Sequence, residues 1–377
     1  MKNYITKYVG LDVHKNSIAV SVAESGREEP TYYGEISNSV ESLRKLVKRL
    51  GKSGDLLSFC YEAGPCGYGI YRTLTQWGQA CEVVAPSLIP RKAGQRLKTD
   101  RRDANLLARM HRAGELTAVW VPNAEQESIR DLTRAREDMK SLERRARQRL
   151  NAFLLRHDKI YQSGKSRWTQ AHFRWLETVK FDSPVQQIVL QEYIDSVKTS
   201  QKRVTDLKNQ MREALKTWTF RPVAEGLMAL RGVSLITAMT ILAELGDITR
   251  FESPRDLMPF LGLIPSEHTS GPTRRQGPIT KTGNSHVRRV LIEAAWSYRF
   301  PARKTATIER RAEKTSIAVQ AIAWQAQKRL CSRYRNLLRA GKEKKLVVTA
   351  VARELTGFIW AIACEIQGKA HGSKALA

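Results

Sequence analysis

One change of hydrophobic rhythm constrains this chain more than any other feature. In residues 1–122 short apolar runs alternate with stretches of helical spacing; from residue 123 onward two long stripes take over. The stretch "KYVGLDVHKNSIAVSVAESG" holds an apolar run, a break and a second run that alternates, which predicts two strands of a hairpin. Asp12 falls at the end of the first strand, beside Gly10. "EEPTYYGEIS" reads as a third strand, and "SVESLRKLVKRLG" as a helix on Leu43, Leu46, Val47 and Leu50 that closes at Gly51. "LLSFCYEAGPCGYG" is then an apolar strand ending at Glu62, before a helix in "YGIYRTLTQWG" and a strand in "ACEVVAP". Three antiparallel strands followed by strands alternating with helices predict an α/β domain. Its acids at strand ends fit the rule that sites lie at the carboxyl ends of sheet strands.

The formal charge of +27, from 64 Lys and Arg against 37 Asp and Glu, is spread along the chain, and it points to a polyanionic partner, nucleic acid above all. No run of about 18 apolar residues is present, so no membrane partner is expected. Cys60, Cys66, Cys81, Cys331 and Cys364 show neither zinc spacing nor a disulfide framework and read as reduced thiols of a cytoplasmic protein.

Within "LKTDRRDANLLARM", Asp100 and Asp103 stand three positions apart at a helix start, so both carboxylates leave one face. Arg91, Lys92, Arg96, Lys98, Arg101, Arg102 and Arg109 surround them. Acids inside a cationic surface suit a divalent metal that must meet a phosphate. The plainer reading is helix capping, with Thr99 or Asp100 as N-cap and acids favoured by the helix dipole.

Residues 123–157 predict a long helix with a near-heptad stripe of Ile129, Leu132, Met139, Leu142, Ala146, Leu150 and Phe153. A second stripe runs through Val197, Val204, Leu207, Met211 and Ala214, with an irregular segment carrying Trp168 and Trp175 between them. An antiparallel helical hairpin or a subunit-joining coiled coil is expected over 123–220. "LMALRGVSLITAMTILAELGDITRF" changes character, with a helix ending at Gly232 and an apolar helix from Leu235 to Leu245 that reads as a buried pair.

"GLIPSEHTSGPTRRQGPITKTGNSHVRRVLIEAAW" is dense in Gly, Thr, Ser and Arg, and it enters a helix near Ser285, which reads as an N-cap. Arg274, Arg275, Lys281, Arg288 and Arg289 cluster around small hydroxyl residues in what reads as a glycine-rich loop. A serine beside such cations can attack phosphorus, since positive charge stabilises the alkoxide and the pentacovalent state. Ser266, Ser270 and Ser285 are the candidates. After Ile292 the chain is helical and basic, with Tyr298, Trp324 and Tyr334 interleaved, either core or stacking platforms for unpaired bases. A final helix with an apolar stripe from Leu346 to Ile362 and a disordered tail over 367–377 complete it.

"GLDVHK", "YEAG" and "KTDRRDA", together with the later "TSG" and "GPITKTGNSHVR", resemble the motifs of the DEDD insertion-sequence transposases of the family numbered one hundred and ten, subgroup eleven-eleven. Thr269 and Val287 depart from the residues usual at their places. The resemblance covers nearly the whole chain. It implies an α/β plus α architecture: a RuvC-like, ribonuclease-H-type domain over 1–122, a helical coiled-coil linker over 123–220 that aids assembly, and a transposase domain over 221–366. It further implies that Asp12, Glu62, Asp100 and Asp103 form an acidic tetrad for Mg2+ (or Mn2+), and that Ser270 is the nucleophile forming a covalent DNA–serine link. As partners it implies donor and target DNA, a structured non-coding guide RNA of the bridge type, and a second or further copies of the chain in a dimer or tetramer, in a prokaryotic, nucleoid-associated setting. Arg91, Lys98, Arg101, Arg102, Arg274, Arg275, Lys281, Arg288 and Arg289 are the expected phosphate contacts. A metal-dependent junction nuclease using water, and a non-catalytic nucleic-acid-binding protein, are the alternatives. No GxxxxGK[ST] loop occurs, in keeping with strand exchange that conserves phosphodiester energy.

Overall fold

The strand Thr6–Val13 (β1) is the axis of the first half of the molecule. In the computed structural model, which describes residues 6–90, 99–162, 166–270 and 273–368, it pairs antiparallel with Ser17–Glu24 (β2), which pairs antiparallel with Thr31–Ser37 (β3). After the helix Val40–Leu50 (α1), the strand Leu56–Glu62 (β4) lies parallel to β1 on its other side. The helix Gly69–Gln76 (α2) leads to Ala80–Val84 (β5), parallel to β4. The result is a mixed five-stranded sheet of order β3-β2-β1-β4-β5, which the helix Asp100–Ala113 (α3) follows. Residues up to Val121 form one compact unit.

The two faces of this sheet are divided by strand alternation. Val9, Leu11, Phe59 and Tyr61 pack with Leu43, Leu46, Ile70 and Leu74 of α1 and α2. Gly10 and Cys60 face α3 instead. A Cβ added at Gly10 would lie 2.4 Å from the Ala108 nitrogen and 2.5 Å from the Ala104 oxygen, so only glycine lets the helix backbone touch the strand. At the far end of α3, His111 Nε2 is 2.8 Å from Ser58 Oγ and its ring meets Tyr8 edge-on. Burial holds the His111 imidazole below its usual pKa, against the opposing pull of Glu82. These contacts make α3 antiparallel to β1, with its N-terminus over the carboxyl end of the strand.

Pro122–Ala377 form the second unit. Its helices Ala124–Arg156 (α4) and Pro184–Thr217 (α6) are the two stripes of the sequence. They pack antiparallel: Leu150 and Phe153 meet Leu190 and Ile194 at one end, and Ile129 joins Met211 and Leu215 at the other. Between them, where an irregular segment was expected, Gln170–Thr178 forms a helix (α5), because His172 and Leu176 bury among Trp168, Trp175 and Phe173 against the hairpin end. Leu142, expected in the stripe, is exposed.

The remaining helices are Arg221–Leu227 (α7), Leu235–Leu245 (α8), Pro254–Phe260 (α9), Ser285–Ala295 (α10), Ala306–Ala312 (α11), Ile317–Arg339 (α12) and Lys344–Ile366 (α13). They share one core with the adjoining ends of α4 and α6. By length and composition α13 is apolar enough to cross a membrane, but most of its apolar stretch is buried inside the protein, which accounts for its composition. Leu346, expected in its stripe, is 60% exposed near the helix start. The stretch expected as a glycine-rich loop is a β-hairpin of Pro265–Ser270 (β6) and Thr273–Ile279 (β7). Its polar residues misled the reading, because a hairpin exposed on both faces has no apolar alternation to show. Among the described residues no cysteine is in a disulfide. The tail expected to be disordered lies outside the described residues from position 369.

Candidate functional site

Asp12 and Glu62 continue the α3-facing set of their strands, since Leu11 pairs with Tyr61 in the parallel register. Both stand at the carboxyl end of the sheet. Above that end, Thr99 caps α3, its side chain accepting from the Arg102 amide. Asp100 is therefore the first helical residue rather than the cap, and its carboxylate is available for other contacts. Of the two capping candidates the structure selects Thr99.

Between these acids stands His14, in the turn from β1 to β2. Its backbone is pinned, the amide donating to Ser17 O at 2.9 Å and the carbonyl accepting from Asn38 Nδ2 at 2.8 Å. Its Nε2 lies 3.4 Å from Asp12 Oδ2 and 3.5 Å from Asp100 Oδ1. Donor atoms of Asp12, His14 and Asp100 all fall within 4.8 Å of one another. Asp12 is partly buried, and its pKa is raised above the usual carboxylate value. Burial is the largest cause; Asp103 and Asp100 add to it, and His14 opposes it. Asp103 thus acts on Asp12 electrostatically as well. These donors, oxygen-rich and including carboxylates that repel one another, fit a hard divalent cation, which would relieve the repulsion among Asp12, Asp100 and Asp103. Sequence reasoning missed His14; the only signal was its place two residues after Asp12.

Of the expected phosphate contacts, Arg91 and Lys98 lie outside the described residues, as does the side chain of Arg274. Arg101 is exposed, with its guanidinium 5.3 Å from the Tyr32 ring centre, and Arg102 is exposed on the same turn.

In the second unit Ser270 is exposed at the end of β6, paired with Thr273. Arg275 and Lys281 are exposed nearby in sequence, and His268 shares the Ser270 face by alternation. The competing serines have structural duties: Ser266 Oγ donates to Pro278 O at 3.1 Å, and Ser285 is the first residue of α10 rather than its cap. The cap is Asn284, whose Oδ1 accepts from the Val287 amide.

Asn284 belongs to a network that the sequence did not announce. Its Nδ2 donates to Glu244 Oε2 at 2.6 Å, and Arg134 grips the same carboxylate with two bonds, at 2.7 and 3.0 Å. Arg130 donates to the carbonyls of Ala243 and Glu244 at the end of α8. Burial alone would raise the Glu244 pKa, yet the bonds from Arg134 and Asn284 hold it below the usual value. Beside it, Glu137 accepts from Arg289 at 2.7 Å and contacts His286 Nδ1 at 2.8 Å. Arg289 also reaches Glu293, while Arg288 donates to the carbonyls of Leu261 and Thr282. Arg288 and Arg289 thus brace α10 against its neighbours. The connection is tight: a Cβ at Gly283, whose φ is +67°, would fall into the Phe260 carbonyl. This frame carries the β6-β7 hairpin.

Comparison with known proteins finds two family models. A DEDD transposase model matches residues 9–157, and a transposase model of the IS116/IS110/IS902 family matches residues 224–308. A putative transposase of Sinorhizobium fredii is 49% identical over 96% of this chain and 90% of its own length. The transposase for insertion sequence element IS1533 of Leptospira borgpetersenii is 32% identical over 90% of this chain and 98% of its own. That for IS1111A of Coxiella burnetii is 23% identical over 60% of this chain and 61% of its own.

Proposed function

This chain belongs to the IS110/IS116/IS902 family of DEDD insertion-sequence transposases, and from that premise we propose that it exchanges DNA strands through a phosphoserine link, directed by a structured non-coding RNA. The observation that carries the reading is the gathering of Asp12, Asp100 and Asp103 at the carboxyl end of β1, with Glu62 at the same end of β4.

In this reading Asp12, Glu62, Asp100 and Asp103 hold the metal, with His14 as a further donor. A bound divalent ion such as magnesium supplies Lewis-acid polarisation of the scissile phosphate and charge neutralisation. Arg101, Arg102, Arg275 and Lys281 contact neighbouring phosphates and keep the strand in register. Ser270 Oγ loses its proton and attacks phosphorus; the Oγ–P bond forms as the P–O3′ bond breaks, leaving a free 3′-hydroxyl and a strand esterified to Ser270. A 3′-hydroxyl of the exchanged strand then attacks the same phosphorus and releases the serine. One bond is made for each broken, so no nucleotide is hydrolysed. In this reading the chain works as a dimer or tetramer.

Ser270→Ala is expected to retain RNA and DNA binding and to lose all strand exchange. Wild-type protein quenched in denaturant is expected to carry DNA on a peptide containing Ser270. Recombination by the alanine variant, or DNA attached to another residue, overturns the nucleophile assignment. Magnesium-dependent cutting that survives in the variant favours a water-using nuclease. Purification with bound nucleic acid, followed by sequencing, is expected to return one RNA encoded beside the gene.

A further inference from the structure

Of the aromatic residues interleaved with the basic helices after Ile292, Tyr298 and Tyr334 are buried core, but Trp324 is only half-buried. It lines a cavity of about 280 Å³ between α11, α12 and the segment after α7. Arg231, Lys304, Glu309, Glu313 and Gln327 line it too. The Lys304 ammonium sits 5.4 Å from the Trp324 ring centre. Gln327 is 2% exposed, and its Nε2 donates to the Arg303 carbonyl at 3.0 Å, which sets the orientation of the amide. That leaves Oε1 buried with no hydrogen-bond partner. Such an acceptor is costly to leave unmade, and it calls for a donor from a ligand.

We propose that this cavity takes the guanine of an unpaired nucleotide. The proposal rests on the nucleic-acid partner inferred above. Trp324 offers a stacking surface and Lys304 a flexible cation for the adjoining phosphate. Of the donors on the wall, Arg231 is tied to the Pro301 carbonyl and Gln320 Nε2 to the Thr315 carbonyl, which leaves the acceptors Gln327 Oε1 and the Glu309 and Glu313 carboxylates to select a base edge. Guanine alone among the four common bases presents two adjacent donors on its pairing edge, the N1–H and the 2-amino group. Adenine and cytosine present one amino group beside a ring nitrogen lone pair. Uracil and thymine flank their N–H with two carbonyls. Each of those would set a lone pair against an acceptor on the wall, which is how a site rejects the wrong ligand.

The test uses the full-length protein and fluorescent pentanucleotides at fixed salt, each with one variable central base in thymidine-flanked DNA or uridine-flanked RNA. The readout is the ratio of affinities for guanine- and adenine-centred strands, in which general phosphate attraction cancels. A ratio of about ten is expected, with Trp324→Ala weakening the guanine strand about tenfold. Gln327→Leu is expected to bring the ratio near one and leave the adenine strand unchanged. An inosine-centred strand, lacking the 2-amino group, tests wild-type protein directly and is expected to lose most of the preference. A preference confined to the RNA set or to the DNA set assigns the strand that delivers the base. Equal affinities for all four bases, or an unaltered ratio in Gln327→Leu, overturns the pocket while leaving the transposase reading standing. Failure to bind any strand overturns both.

Discussion

Glu244 in the second unit and Asp12 in the first are both acids withdrawn from water in a strongly basic protein, and their surroundings treat them in opposite ways. Glu244, with its side chain 1% exposed, is gripped by Arg134 and Asn284 and stays ionised more readily than a free carboxylate. Asp12 is partly buried and flanked by Asp100 and Asp103; burial first and these two acids second make it ionise less readily, against the pull of His14. A charge that the protein satisfies belongs to its frame. A cluster of like charges gathered at one end of a sheet stores a preference for an external cation.

The comparison can be broken most sharply by Asp12→Asn. Strand transfer is expected to fall by about a thousandfold or more, the scale of several kcal/mol of lost charge stabilisation. Without added metal the thermal midpoint is expected to rise by a few degrees, because one of three like charges is gone. A fall in the metal-free midpoint would mean that Asp12 is structural after all. Glu244→Ala is the counterpart. It leaves Arg134 and Arg130 without their carboxylate and is expected to cost about 2–4 kcal/mol in urea unfolding, less than a fully buried pair because Arg134 is half-exposed. A cost under about 1 kcal/mol would remove Glu244 from the frame.

Gly10→Ala tests whether α3 positions the acids. Its methyl group would meet the helix backbone, so a cost of about 1–3 kcal/mol is expected, and displacement of α3 should abolish stabilisation of the protein by magnesium in a thermal shift. Stabilisation retained in full would show that the acids gather without that contact. The smallest effect is that of pH. The contribution of Glu244, its folded pKa being depressed, is present above the ordinary carboxylate range and is lost as pH falls through the folded value. Asp12 has the reverse sign: its penalty grows as pH rises from about 3.8, so Asp12→Asn should gain most at neutral pH.

Much of the first unit was legible because its signals are local. The strands, α1, α2 and the start of α3 follow from periodicity and turn residues, and the acids sit at strand and helix ends where a pattern can be read. The β6-β7 hairpin was not legible, since both its faces are polar. The cap at Asn284 was displaced by one residue onto Ser285, because either residue type can cap and only geometry chooses.

Composition and spacing by themselves determined a basic, nucleic-acid-directed chain with an α/β first unit and a helical second one, since charge and hydrophobic period are properties of neighbours along the chain. Tertiary structure alone decided that His14 stands between Asp12 and Asp100, that Glu244 in an otherwise apolar helix answers Arg134 from 110 positions away, and that Trp324 lines a cavity while Tyr298 and Tyr334 fill a core. Partners that distant leave no periodic trace, because what selects them is the packing of whole helices and not the order of residues within one.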